Sequence, residues 1–507
     1  MFMLKSIKIS LKDTIIYGLG NVAVKVVGLI LMPLYTDPKF FSVDDFGTLA
    51  ILEISGLILT ASLASGLPQS LARWFWDKEH KANQKGIFFM SFTTQLLVSL
   101  AFCLLLIPLS GTLSVLIFSK PDWAHVITLV ILASGIQAIN NLINTLMRLQ
   151  SKSLLYSITN LFKLTIVLSL TIYFIISKKM GLEGIYLAQV IGNGLVVLIL
   201  MGYTVKNSRI FFDKNIFKSM NIYGFPLLLA NISAALLTVI DRFSLNSLTI
   251  LKSVALYTMA FKITSVLKLV FADSIKLAIG PIMIKKMNAP DNKRFYSKVL
   301  LYSSYVMMFA IVGISMFSFE MIKVITKSKD FWGAVAIIPV LALSVFFVNM
   351  RDVTVYGLHL TKKTSVIGII VVFATLISLA LNLLLIPVWD ITGAALATLL
   401  SQIVYWLACY YYSQKAFYVP YDIRKLTVMF LTGAILSFSA LFINGMDLLP
   451  RLLIKTGCLV SFPFILYLFN FYEPVELQAI RGFVVKWSKI RDLKSNLNSL
   501  KGIVDDE

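Results

Sequence analysis

Residues 364–412 read TSVIGIIVVFATLISLALNLLLIP, then VWDI, then TGAALATLLSQIVYWLACYYY. A helix needs about 20 apolar residues to cross roughly 30 Å of hydrocarbon. The quotation is therefore two membrane spans joined by the short connector 388–391. Working outward, about fourteen such stretches fill the chain, at approximately 13–36, 46–69, 86–108, 123–147, 154–177, 182–204, 222–245, 254–280, 299–319, 332–357, 364–387, 392–412, 426–444 and 451–472. Composition agrees, with 58% hydrophobic and 14% charged residues against about 25% charged in soluble domains. Loops of at most about 18 residues leave no room for a soluble domain. The fold expected is an all-α polytopic membrane protein.

The connector also exposes a duplication. Asp390-Ile391-Thr392-Gly393 before the twelfth span answers Gly181-Leu182-Glu183-Gly184 before the sixth; Trp332 answers Trp123, and Ile222-Tyr223-Gly224 answers Ile16-Tyr17-Gly18. The offsets stay near 209 throughout. Six spans return the chain to its starting side, so the halves are parallel repeats, and sites in such transporters lie at the interface of the halves near the midplane. The organisation expected is a lobe over 1–218, a second over 219–420, a helix pair over 421–474 and an amphipathic tail over 475–507.

Orientation follows from the basic residues, which favour cytoplasmic loops. With the N-terminus inside, about 29 of the 46 Lys and Arg residues fall on the cytoplasmic side and about ten on the other. The net charge of +21 thus reports topology and an anionic leaflet; a nucleic-acid partner would need a basic soluble module, which the loops do not provide. The basic N-terminus leads into a span of full length with no cleavage site, an uncleaved first helix. Cys103, Cys409 and Cys458 sit in apolar spans, and His80, His125 and His359 lack ligand spacing, so no metal or redox site is expected. No Gly-x4-Gly-Lys-Ser/Thr phosphate loop occurs, and no cofactor is implied.

Several loose motifs point further: Lys12-Asp13-Thr14 into Tyr17-Gly18-Leu19-Gly20, Asp45-Phe46-Gly47-Thr48, Asp241-Arg242-Phe243-Ser244-Leu245, Ala255 to Ile263, and Asn382-Leu383-Leu384-Leu385-Ile386-Pro387 running into Gly393 to Thr398. On these the chain resembles the polysaccharide transporter family, the Wzx-like flippases of the superfamily that also holds lipid II flippases and multidrug and toxin extrusion antiporters. The resemblance covers about 1–472. It implies an alternating-access transporter, not an enzyme. Its cargo would be an undecaprenyl-pyrophosphate-linked oligosaccharide, moved to the outer leaflet of a bacterial inner membrane for surface polysaccharide such as the O-antigen of lipopolysaccharide. Glycan polymerase and assembly proteins would be further partners. Many Wzx-like proteins have twelve helices; the extra pair resembles that of the lipid II flippases, which forms a groove for the lipid tail.

Charges inside spans are costly and usually face a cavity or a partner. Away from the span ends the basic ones are Lys25, Lys163, Arg242, Lys262, Lys268, Lys276 and Arg351, and the acidic ones Glu53, Asp241, Asp273 and Asp352. The basic excess favours an anionic cargo. Lys25, Lys262, Arg242 and Lys163 are the candidate substrate contacts, with Lys25 and Lys262 foremost for the pyrophosphate; Glu53, Asp241, Asp273, Arg351 and Asp352 are candidates for gating or lining a cavity. At about 100° per residue, Thr258, Ser265, Asp273 and Lys276 share a face with Lys262, while Lys268 lies about 120° away. Snorkelling remains open for Lys276, and pairing within their own surroundings for Asp241-Arg242 and Arg351-Asp352. Glu53, Gly56, Thr60 and Ala64 form a stripe on the second span, and Gln137, Asn141, Asn144 and Arg148 one on the fourth, where interhelical hydrogen bonding is preferred to sugar contact. Glu53 and Lys262 occupy equivalent positions with opposite charge, which suits either an ion pair between the halves acting as a gate or a partner for each within its own half. In the tail, Phe483, Trp487, Ile490, Leu493, Leu497 and Leu500 favour one side of a helix, either on the inner leaflet or solvated. A drug or cation antiporter is the alternative reading, and would need carboxylates to dominate the cavity; a glycosyltransferase or polymerase would need a sizeable outer loop or catalytic carboxylates.

Overall fold

The computed structural model describes residues 28–478 except 29, 65, 78–82, 276–281, 284–285, 287–288 and 362. Lys25, Lys276, the first-helix motifs and the tail stripe at 483–500 lie outside the described residues. Among those described, twelve helices are long and apolar enough to cross a membrane, and one of them, Ser365–Ala416, is long enough for two passes. Its fold point is Asp390, with φ 47° and ψ −126° inside otherwise helical backbone. Gly181, its equivalent in the first half, also has positive φ, at 57°. A residue with positive φ thus sits at this turn in both halves. Ser253 Oγ donates to Asp390 Oδ2 at 2.8 Å, tying this turn to the start of the eighth span.

The second span runs Val43–Leu63 and resumes as Leu67–Phe75. Its start carries a capping box in which Ser42 Oγ accepts from the Asp45 amide and the Asp45 carboxylate accepts from the Ser42 amide. The fourth is Ala124–Leu149, the fifth Ser153–Ile176, the sixth Gly181–Ile199 and the seventh Lys214–Leu237 with a continuation Ile240–Leu248. The seventh begins earlier than the apolar pattern suggests because Asp213 accepts hydrogen bonds from the Asn215 and Ile216 amides, capping a polar first turn. The eighth is Leu251–Leu267, followed by a π-helical turn at Lys268–Ala272. Each half also has short helical elements before its fourth span, Ser110–Phe118 with Pro121–Trp123 and Ser318–Ile325 with Lys329–Ile337.

The halves meet through the second span against the seventh and eighth. Near the loop at Asp37, Gly47 lies so close to the Leu251 carbonyl that a Cβ there would overlap it. Phe46 packs edge-on against Phe331, centroids 5.3 Å apart, and both are buried. Toward the opposite face, which carries Arg73, the break in the second span puts Gly66, at φ 67°, against the Gly224 carbonyl; Ser70 Oγ donates to the Met220 carbonyl at 2.9 Å.

The last two spans, Ile423–Ile443 and Leu448–Leu468, pack on the ninth, Asn292–Met316. They are tied to that half at both faces. On the Asp37 face, Lys455 Nζ, fully buried, donates to both Glu320 oxygens at 2.7 and 2.9 Å and to Asn444 Oδ1 at 2.8 Å, and Arg451 Nε lies 2.8 Å from Glu320 Oε1. On the Arg73 face, Lys298 Nζ reaches Glu473 Oε1 at 2.6 Å and Glu476 Oε1 at 3.0 Å, and Tyr302 donates to Glu476 at 2.6 Å.

Candidate transport cavity

A chamber of about 690 Å³ opens within the first half and reaches the seventh span. The second span lines it with Glu53, Gly56, Thr60 and Ala64, and the fourth with Gln137, Asn141, Asn144 and Arg148. Both stripes read from the sequence face this space, because each recurs at helical spacing along one side. Ser134 Oγ donates to the Gly56 carbonyl at 3.3 Å, so the small residue on the second span also admits a contact from the fourth. Gln189 and Asn193 of the sixth span, Asn231 of the seventh, Tyr156 and Tyr186 extend the polar wall, with Gln69 and Thr145. Being uncharged, they do not stand out among the costly intramembrane residues; Gln189 and Asn193, at i and i+4, are the periodic signal of them in the sequence.

Glu53 joins the halves. Lys262 Nζ on the eighth span lies 3.0 Å from Glu53 Oε2 and donates to Oε1 at 3.1 Å, and sits 5.4 Å from the centroid of the Phe46 ring. The side chains are 21% and 36% exposed, so this ion pair is neither dry nor freely solvated. Lys163 donates to Gln137 Oε1 at 3.2 Å, and Gln137 in turn to Asn141 Oδ1 at 2.8 Å. Part of the fourth-span stripe is thus hydrogen-bonded between helices, as preferred, while all of it lines the chamber. Arg148 donates to Thr145 Oγ1 at 3.0 Å and is exposed.

The remaining candidates are elsewhere. Asp241 and Arg242 are buried in the second half: Asp241 accepts from Tyr257, whose hydroxyl also meets Thr398 Oγ1 at 2.9 Å, and Arg242 lies 4.3 Å over the Phe261 ring and donates to the Thr238 carbonyl. Arg242 is therefore held by its own half and does not line the chamber. Arg351 is bidentate to Asp352 Oδ1, at 2.8 and 3.1 Å, reaches Gln402 Oε1 at 3.2 Å, and stacks 4.4 Å from the Tyr405 ring. This is the local pairing left open from sequence. Asp273 follows the π-helical turn at Lys268–Ala272. One extra residue in a turn displaces the register by roughly 100°, so the face calculated for Asp273 from an ideal helix does not hold beyond Lys268.

Glu53 is the one acid and Arg148 the one base among the described lining residues, with Lys262 and Lys163 each bonded to a residue of the wall. With those two lysines counted, three bases stand against one acid around the space, which suits an anion, and the amides of the wall can hold polar uncharged groups. The fold and this cavity define an all-helical multi-pass membrane protein with a polar chamber beside the junction of its halves.

Residues 10–287, more than half of the chain, match the polysaccharide biosynthesis protein family, and the chain belongs to it. An uncharacterized membrane protein of Methanocaldococcus jannaschii is 21% identical over 272 residues, spanning 52% of this chain and 53% of that one. The chain thus aligns with about half the length of this relative. Among solved structures, lipid II flippase MurJ in an inward closed conformation superposes with TM-score 0.73 at 15% identity, covering 90% of this chain and 100% of that chain. An inward-facing multidrug resistance MATE family transporter of the MOP superfamily gives 0.65 at 14% identity, covering 81% and 95%. These likenesses establish the fold. The fold is thus shared with structures described as a lipid II flippase and as a MATE family transporter, and the chain itself is a member of the polysaccharide biosynthesis protein family.

Proposed function

We propose that the protein flips a polyprenyl-pyrophosphate-linked oligosaccharide from the inner to the outer leaflet of a bacterial inner membrane by alternating access, with both termini cytoplasmic. The observation that carries this reading is the Glu53–Lys262 pair, which bridges the halves at the edge of a polar chamber. A pyrophosphate arriving there competes with Glu53 for Lys262. Two charges about 4 Å apart interact by about 4 kcal/mol at an effective dielectric of about 20, before desolvation is subtracted. That magnitude biases two states without locking either, which suits a gate. The antiporter alternative is less well supported: the described chamber's acid, Glu53, is already matched by a lysine. Lys25 remains the second proposed pyrophosphate contact, on sequence grounds.

The test measures glycan export in a strain lacking its own flippase. Glu53→Gln and Lys262→Gln should each impair it, and Glu53→Lys combined with Lys262→Glu should recover part of it. A swap no better than the worse single variant removes the gate. Lys25→Ala should abolish export at unchanged membrane level and Lys25→Arg retain part; full complementation by the alanine variant would exclude Lys25.

A further inference from the structure

We propose that the chamber in the first half is the glycan compartment, in which side-chain amides read the hydroxyls of uncharged sugar residues while the Glu53–Lys262 pair deals with charge. The inference rests on the flippase reading and deepens it. Asn141 and Asn144 on the fourth span and Gln189 on the sixth line one space. Each amide presents both donors and an acceptor, and a sugar hydroxyl likewise donates and accepts, so an amide wall matches a polyol without requiring charge.

Two observations show that the wall has unmet capacity. The side chains of Asn144 and Gln189 make no hydrogen bond to another described residue. Tyr186, itself 2% exposed and lining the chamber, has a buried hydroxyl with no partner among the described residues. A buried hydroxyl left unpaired is unfavourable, so this part of the wall gains from any shift that brings the hydroxyl to a partner. The size is adequate, since about 690 Å³ falls within the roughly 300–1,000 Å³ range of small-molecule sites. A flat apolar cation would find little to stack on here, because Tyr156 and Tyr186 are the aromatic residues of the described wall.

The full chain in lipid nanodiscs is titrated with neutral trisaccharides of glucose, galactose, mannose or N-acetylglucosamine and followed by saturation-transfer NMR. Geranyl pyrophosphate binding is followed in parallel by phosphorus line broadening. The wild type should transfer saturation to the ring protons of at least one trisaccharide, and Asn144→Leu with Gln189→Leu should weaken this about tenfold or more while leaving geranyl pyrophosphate binding intact. Should the leucines prevent folding, Asn144→Ala with Gln189→Ala removes the amides without adding bulk. No transfer to any trisaccharide, or equal transfer in wild type and variant, overturns the compartment. Sugar binding that depends on the amides, with no pyrophosphate binding by the wild type, supports the compartment and counts instead against a pyrophosphate-linked cargo.

Discussion

Asp390 shows how a single residue can invert an ordinary preference. Glycine inside a helix normally costs about 1 kcal/mol relative to alanine, but at φ 47° an L side chain is strained by about 1–2 kcal/mol and glycine is not. Asp390 offsets this through its hydrogen bond from Ser253, worth about 1–1.5 kcal/mol. Asp390→Gly should therefore melt within a few degrees of the wild type in detergent, and Asp390→Ala, which keeps the strain and loses the bond, should melt lowest. An alanine variant more stable than the glycine variant would contradict this. The equivalence of Asp390 with Gly181 could be read from spacing alone, and so could the match of Glu53 with Lys262. The burial of Arg242 could not: its surroundings are set by Thr238, Phe261 and its neighbour Asp241, a combination that no single-helix periodicity encodes.

Helices were legible where bilayer thickness dictates them and illegible where another helix does. The break in the second span falls where Gly66 meets Gly224, and the π-helical turn in the eighth has no signature in composition. The first alters which side chains of the second span reach the chamber and the second re-aims the end of the eighth span, so the site was less legible than the fold. The closeness of the second and eighth spans yields a prediction. A valine at Gly47 would overlap the Leu251 carbonyl, and overpacking typically costs about 1–3 kcal/mol, enough to disfavour the arrangement in which these spans touch. Spin labels on the Asp37 face, one in each half, should report a longer mean separation in Gly47→Val than in wild type; identical distance distributions would show that this contact does not govern the spacing of the halves.

For the molecule as a whole, orientation is tested by cysteine labelling. Lys39 and Lys85 are both exposed, so Lys39→Cys and Lys85→Cys are compared in a background without Cys103, Cys409 and Cys458. An impermeant thiol reagent should label the first and not the second in intact cells, and the reverse pattern would overturn the proposed topology. The last two spans give a further expectation. Burial opposes ionisation of Glu476, yet the Tyr302 hydroxyl, the Glu473 amide and the Lys298 ammonium together hold its carboxyl below the usual range. A depressed carboxylate contributes stability that is present above its unfolded value, about 4.3, and is lost as pH falls through the folded value. Proteolysis near Glu473 should accelerate as pH falls through that interval, and Glu476→Gln should be cut faster at neutral pH with less dependence on pH. Because these spans are fastened to the same half at both faces, that half is the broader body in the plane of the bilayer. In the alternating-access cycle proposed above, rocking of the halves then displaces more lipid on its side, so the viscosity and thickness of the membrane become resistances to it.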